Sequence, residues 1–213
     1  MVGIVYATRR EANPFLLRTS AEPMAPQPLL MFRTADTRYT PCITVISGMG
    51  KVAATVAATH LVLTHRVSML VNAGLCGRLV MDHHCSVGDV LRISTAVEGD
   101  CDRLGHTEQA VACDDRWFGI LKPARLVTND RPVFDAAWRS QLAGIGELAD
   151  MEGAAVARVA RLYGIPCAMI KGISDTADES GRMDVASHMD WVSGRIADAL
   201  VRELSISTLD KQS

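Results

Sequence analysis

Apolar residues fall in short blocks along this chain, and charged or small polar residues close each block. Residues 2–7 form one such run, ended by Thr8 and two arginines, which predicts a central buried strand. Residues 11–18 then suit a short helix, so Glu11 lands just past a strand's carboxyl end. Residues 20–28 carry Pro23, Pro26 and Pro28 and are expected to be an extended connector. Two strands are predicted near 29–33 and 42–47. The turn Ser47-Gly48-Met49-Gly50-Lys51 leads into 52–61, a helix of small residues suited to close packing on a sheet. Its glycines permit a tight strand-to-helix turn with N–H groups exposed at the helix start. The spacing of a nucleotide phosphate loop is absent, since Val52 follows the lysine.

A further buried strand is predicted over 69–73, running into Asn72-Ala73-Gly74-Leu75-Cys76-Gly77, where Gly74 and Gly77 allow backbone to approach a ligand. Residues 98–122 are weakly patterned. A strand at 124–128 ends in Asn129-Asp130, and a short helix is expected over 133–141. Residues 147–150 read as a strand ending in an acidic cluster, followed by a helix of small residues and then by an apolar strand from 165 into Ser174-Asp175. Residues 185–204 form an amphipathic helix, and 205–213 are expected to fray. Residues 1–204 are therefore expected to be one α/β domain.

Alternating strands and helices point to a parallel sheet, in which ligands gather at the carboxyl ends of the strands. Glu152 and Asp175 are both expected there, at the ends of neighbouring elements. Each also has a purely local reading. Asp150 and Glu152 can serve a helix start, and Ser174-Asp175 can cap a turn.

The chain is 48% hydrophobic and 22% charged, with a formal net charge of −2, which argues against a general nucleic-acid or anionic-membrane partner. Its six cysteines include no CxxC pair and are expected to be reduced and mostly structural. No run reaches membrane-spanning length, and the first residues lack a secretory leader, so a cytoplasmic protein is expected. His83-His84-Cys85 has no second cluster of matching spacing and is expected to be a solvated loop; no metal site is assigned.

Five segments in order, Ser47 to Ala54, Asn72 to Gly77, Val87 to Val90, Asp150 to Ala155 and Ile173 to Asp178, resemble the nucleoside phosphorylase superfamily. The branch they are most similar to is the 5'-methylthioadenosine/S-adenosylhomocysteine nucleosidases. The resemblance implies a three-layer α/β/α sandwich around a mixed, partly barrel-like sheet, assembled as a homodimer or higher oligomer. It implies cleavage of a purine N-glycosidic bond in a small nucleoside, with no cofactor. By the same resemblance Asp175 acts on the purine N7, Glu152 grips the ribose hydroxyls, Met151 packs against sugar and base, and Glu11 orients the attacking water. Ser174 is expected to orient Asp175. Met49 and Gly74 join them as substrate-binding candidates in the glycine segments.

The chemistry asks for such a set. Breaking the C1'–N9 bond leaves an oxocarbenium-like sugar and a purine anion, so one acid must serve the base and another carboxylate the sugar. Asp175 needs a raised pKa, which burial supplies, while Lys171 opposes it if close. Two residues depart from the family. Leu75 stands where a serine is common, and Lys171 where an arginine is common. Both favour water over phosphate as nucleophile, although Arg9 and Arg10 offer donors that suit phosphate. Trp191 is a candidate wall for the 5' substituent. The alternatives to a hydrolase are a phosphorylase acting on a specialised adenosyl substrate, and a catalytically decayed nucleoside-binding protein.

Overall fold

The structure, a computed structural model, describes residues 1–25, 28–81, 85–101, 104 and 109–205. In chain order its elements are β1 (Val2–Tyr6), α1 (Arg9–Arg18), β2 (Glu22–Pro23), β3 (Leu30–Arg33), β4 (Cys42–Ile46), α2 (Lys51–His65), β5 (Met69–Arg78) and β6 (Val90–Glu98). They continue with β7 (Val111–Ala112), β8 (Pro123–Thr128), α3 (Ala136–Leu142), β9 (Leu148–Asp150), α4 (Gly153–Tyr163), β10 (Cys167–Asp175) and α5 (Gly181–Leu204).

Part of the sheet closes on itself. β5 pairs with β10, β10 with β6, β6 with β8, β8 with β9, and β9 returns to β5, while β1, β4, β3 and β2 extend from β5 as an open wing. β5 makes this possible by changing partners. Met69–Asn72 pairs with β1, whereas Gly77 and Arg78 pair with β9. Gly74 and Gly77 lie where the strand bends away, as glycines commonly do at barrel corners.

The sheet is mixed and partly closed, as the resemblance implies, and not wholly parallel as the alternation of strands and helices suggested. β1, β4, β5 and β10 are mutually parallel, but β10 is antiparallel to β6 and β5 is antiparallel to β9. Nor are the elements bearing Glu152 and Asp175 adjacent. β5 lies between them, with Gly77 opposite Ala149 on one side and Asp175 on the other.

Two helical layers cover the sheet. α2 packs on α4 through buried small residues, among them Ala54, Ala57, Ala58, Ala157 and Ala160. On the other face α1 packs on α5, with Phe15, Leu16, Val192, Ile196 and Leu200 buried between them and the strands. A Cβ on Gly172 would lie 2.4 Å from Val192, so β10 carries a glycine where α5 comes closest.

Several boundaries differ from the sequence reading. β5 runs five residues past the expected end at Ala73, and α5 begins four residues before residue 185. β6 occupies a stretch for which no strand was expected. Its burial does not alternate cleanly, and its pairing to β8 shifts register between Ile93 and Thr95. Ser205, expected to begin a frayed tail, pairs with Tyr39 in an isolated bridge. His83 and His84 of the expected solvated loop, and residues 206–213, lie outside the described residues. None of the six cysteines is in a disulfide.

Candidate active site

The turn after β1 sets the first carboxylate. Thr8 is the N-cap of α1 and Glu11 completes a capping box: the Glu11 N–H donates to Thr8 Oγ1 at 3.2 Å, and the Thr8 N–H donates to Glu11 Oε2 at 3.0 Å. The Thr8 hydroxyl also donates to Oε2, at 2.7 Å. The other oxygen, Oε1, accepts from the Leu75 N–H at 3.1 Å. A Cβ on Gly74 would lie 3.1 Å from that oxygen, so the glycine leaves Glu11 its place. The side chain is buried and held at both oxygens.

After β9 two carboxylates divide the work. Asp150 accepts from Thr128 Oγ1 at 2.6 Å and from the Gly153 N–H at 2.8 Å, and pairs with Lys171 Nζ at 2.7 Å. Asp150 therefore satisfies the start of α4. Glu152 makes no capping bond and instead reaches α2, where Oε1 accepts from the Gly50 N–H at 2.7 Å. Burial and then the neighbouring Asp150 push the Glu152 carboxyl up to about 7, against the opposing pull of Lys171. Burial would lower the Lys171 ammonium, but Asp150 and Glu152 outweigh it and hold it above its ordinary value.

Asp175 ends β10. Burial raises its pKa, and the bonds from Ser174 Oγ at 2.7 Å and the Ala177 N–H at 2.8 Å only partly offset this. Ser174 Oγ is also 3.2 Å from the Cys76 carbonyl. Ser174 thus ties the end of β10 to β5 while it orients Asp175.

These groups share one cavity of about 400 Å³, lined by Glu11, Glu152, Asp175, Ser174, Met49 and Met151. That volume suits a small organic ligand. Gly74, expected to bind substrate, does not line it and lies instead against Glu11. The profile of the phosphorylase superfamily matches residues 2–205. This chain belongs to the phosphorylase superfamily.

Among curated members the chain is 25% identical to an aminodeoxyfutalosine nucleosidase of Helicobacter pylori (strain ATCC 700392 / 26695), covering 95% of this chain and 98% of the relative. It is 27% identical to a 5'-methylthioadenosine/S-adenosylhomocysteine nucleosidase of Shewanella sp. (strain MR-7), over 78% of this chain and 79% of that one. The fold matches a Helicobacter pylori mutant nucleosidase holding 5'-methylthioadenosine in its active site. The TM-score there is 0.87 at 22% identity, covering 99% of this chain and 98% of the other.

Other side chains of this superfamily member at the cavity were not found from sequence. Phe134, Arg182 and Met189 line it from the segment before α3 and from α5, outside the five segments. Gly181 is the one local signal. A Cβ there would lie 2.5 Å from the Phe134 ring and 3.4 Å from Asp175 Oδ1.

Three flagged residues stand elsewhere. Arg9 lies over the Phe32 ring and donates to Asn13, and Arg10 pairs with Asp190 at 2.7 Å, so neither lines the cavity. Trp191 packs against Gly88 and His188 and does not line it either. Leu75 does line it. Among the described residues no group of three or more His, Cys, Asp or Glu side chains is placed to hold a metal ion, and no helix is long and apolar enough to cross a membrane.

Proposed function

We propose that this protein is a nucleosidase that hydrolyses the N-glycosidic bond of a 5'-modified adenosine. The observation that carries the reading is the convergence of Glu11, Glu152 and Asp175, from three separate elements, on one cavity. The relatives named as aminodeoxyfutalosine nucleosidase and 5'-methylthioadenosine/S-adenosylhomocysteine nucleosidase support this substrate class.

Each residue has a role that its surroundings suit. Asp175 gives its proton to the purine N7 as the C1'–N9 bond breaks and its electron pair passes to the base. Glu152 accepts hydrogen bonds from the ribose hydroxyls and steadies the cationic sugar, with Met151 against the ring. Glu11, fixed by Thr8 and the Leu75 amide, aligns a water and takes its proton as the water oxygen bonds to C1'. The products are the free base and the 5-substituted ribose. Water is favoured over phosphate because Arg9 and Arg10 are engaged elsewhere and Leu75 presents an apolar side chain to the cavity.

The reading places residues 1–204 as one domain in the cytoplasm, where unbridged thiols stay reduced. It takes the protein as a homodimer or higher oligomer. Exposed Met49, Val52, Val56 and Leu63, three of them along one side of α2, support a covered surface there.

The test is to incubate the protein with 5'-methylthioadenosine, adenosine, inosine and a futalosine-type nucleoside, with and without phosphate, and to assay free base and sugar. Phosphate-independent release of base is expected, and Asp175→Asn is expected to lower kcat by about 100-fold or more. A sugar 1-phosphate product would establish a phosphorylase instead. Tight binding without turnover, unchanged in Asp175→Asn, would establish a nucleoside-binding protein.

A further inference from the structure

Lys51, the first residue of α2, sits in a cluster of carboxylates drawn from other elements. Its Nζ lies 2.7 Å from Asp100, 3.2 Å from Asp130 and 3.5 Å from Glu98, and the Lys51 side chain is only 14% exposed. Glu98 is also paired to Arg158 of α4 at 2.9 Å. The carboxylates come from the ends of adjoining strands. Glu98 pairs with Thr128 across β6 and β8, Thr128 pairs with Asp150 across β8 and β9, and the Asp130 N–H donates to Asp100.

The residue before Lys51 is Gly50, whose N–H holds Glu152. The start of that turn is tied to the end of β1, where the Ser47 and Gly48 N–H groups donate to the Tyr6 and Ala7 carbonyls at 2.9 and 3.0 Å. Gly48 and Gly50 both adopt positive φ, +88° and +97°, and α2 has neither a side-chain cap nor an acidic residue in its first turn. The carboxylate meeting the start of α2 is Glu152, from a different element, so its grip depends on where the glycine turn is held.

We propose that Lys51 is a positioning residue for the ribose carboxylate: by pinning the start of α2 to Asp100 and Asp130, it keeps the Gly50 N–H on Glu152. This rests on the nucleosidase reading. The same tie lies close in the chain to the cavity lining on both sides: Lys51 follows Met49 by two residues, and Asp130 precedes Pro132, Val133 and Phe134. Glu152 is faced by Asp150 from β9, Lys171 from β10 and Glu11 from α1. The Gly50 hydrogen bond lowers its pKa, so losing that bond raises it further.

The experiment compares wild type, Lys51→Met and Lys51→Arg in kinetics with 5'-methylthioadenosine between pH 5 and 9, alongside thermal melts. In Lys51→Met, KM is expected to rise about 10-fold, the equivalent of one charge-assisted hydrogen bond, with a smaller change in kcat. The pH below which KM climbs is expected to move upward, and Lys51→Arg to recover most of both effects. A Lys51→Met protein that melts earlier but keeps the wild-type KM and pH profile overturns the proposal, leaving Lys51 only a structural role.

Should Lys51→Met not fold, Asp100→Asn is expected to shift KM and its pH profile in the same direction, and unchanged values overturn the proposal equally. A wild type that does not cleave refutes the nucleosidase reading separately, and the same comparison is then made on the Kd for 5'-methylthioadenosine. If wild type neither cleaves nor binds, both readings fall.

Discussion

Asp175 Oδ1 lies 2.8 Å from the point where a Cβ on Gly77 would stand. No real side chain tolerates such a contact, and Ala177 Cβ, 3.2 Å away, closes the alternative space. Gly77 also pairs with Ala149 and Asp175 on its two sides, so the strand cannot swing clear without disturbing both carboxylate-bearing elements. Gly77→Ala is therefore expected to displace Asp175. A displacement near 1 Å costs about 100-fold in rate, while overpacking costs about 1–3 kcal/mol of stability. Steady-state kinetics beside a urea titration separate the two effects.

Glu152 makes stability depend on pH in an unusual direction. Its folded-state pKa of about 7 lies above its ordinary value of 4.5, so the folded protein holds a proton that the unfolded chain releases. Its contribution to stability is fully present below pH 4.5 and is lost as pH rises through 7, amounting to about 3 kcal/mol. Asp175, raised mainly by burial, acts with the same sign. Urea denaturation at pH 5 and pH 8 is expected to show Glu152→Gln losing less stability than wild type across that interval. Equal losses in the two proteins would contradict the assignment.

Lys171 is a fully buried ammonium whose one ion pair among the described residues is Asp150. Lys171→Met leaves Asp150 buried without its cation, and breaking such a pair costs about 3–5 kcal/mol. The double variant Lys171→Met with Asp150→Asn removes both charges and is expected to recover much of that loss, although Asn cannot accept at both oxygens as Asp150 does from Thr128 and Gly153. Chemical denaturation of the two singles and the double completes the cycle.

The apolar blocks were legible where both faces of an element are buried. β1 and β10 are buried at every residue, and both read directly as apolar runs with an acid at or just beyond the end. α2 was legible from its small residues. β6 was not, because its residues alternate imperfectly and its partners β8 and β10 lie about 30 and 80 positions away in the chain. Phe134, Arg182 and Met189 carried no signal for a related reason. A cavity wall assembled from a loop and a distant helix leaves no periodic mark.

The sequence alone marked Glu11, Glu152 and Asp175 as candidate acids: each follows a short apolar run, and Glu152 and Asp175 lie in segments that keep the superfamily's order. Tertiary structure decided which donors reach each of them. Only closure of the sheet through β5 brings the ends of β9 and β10 to either side of Gly77, and only there does Asp150 take Lys171 and the cap while Glu152 turns to Gly50. The physical reason is that a carboxylate's role follows from its burial and from the donors that reach it, and those donors come from strands and helices far along the chain.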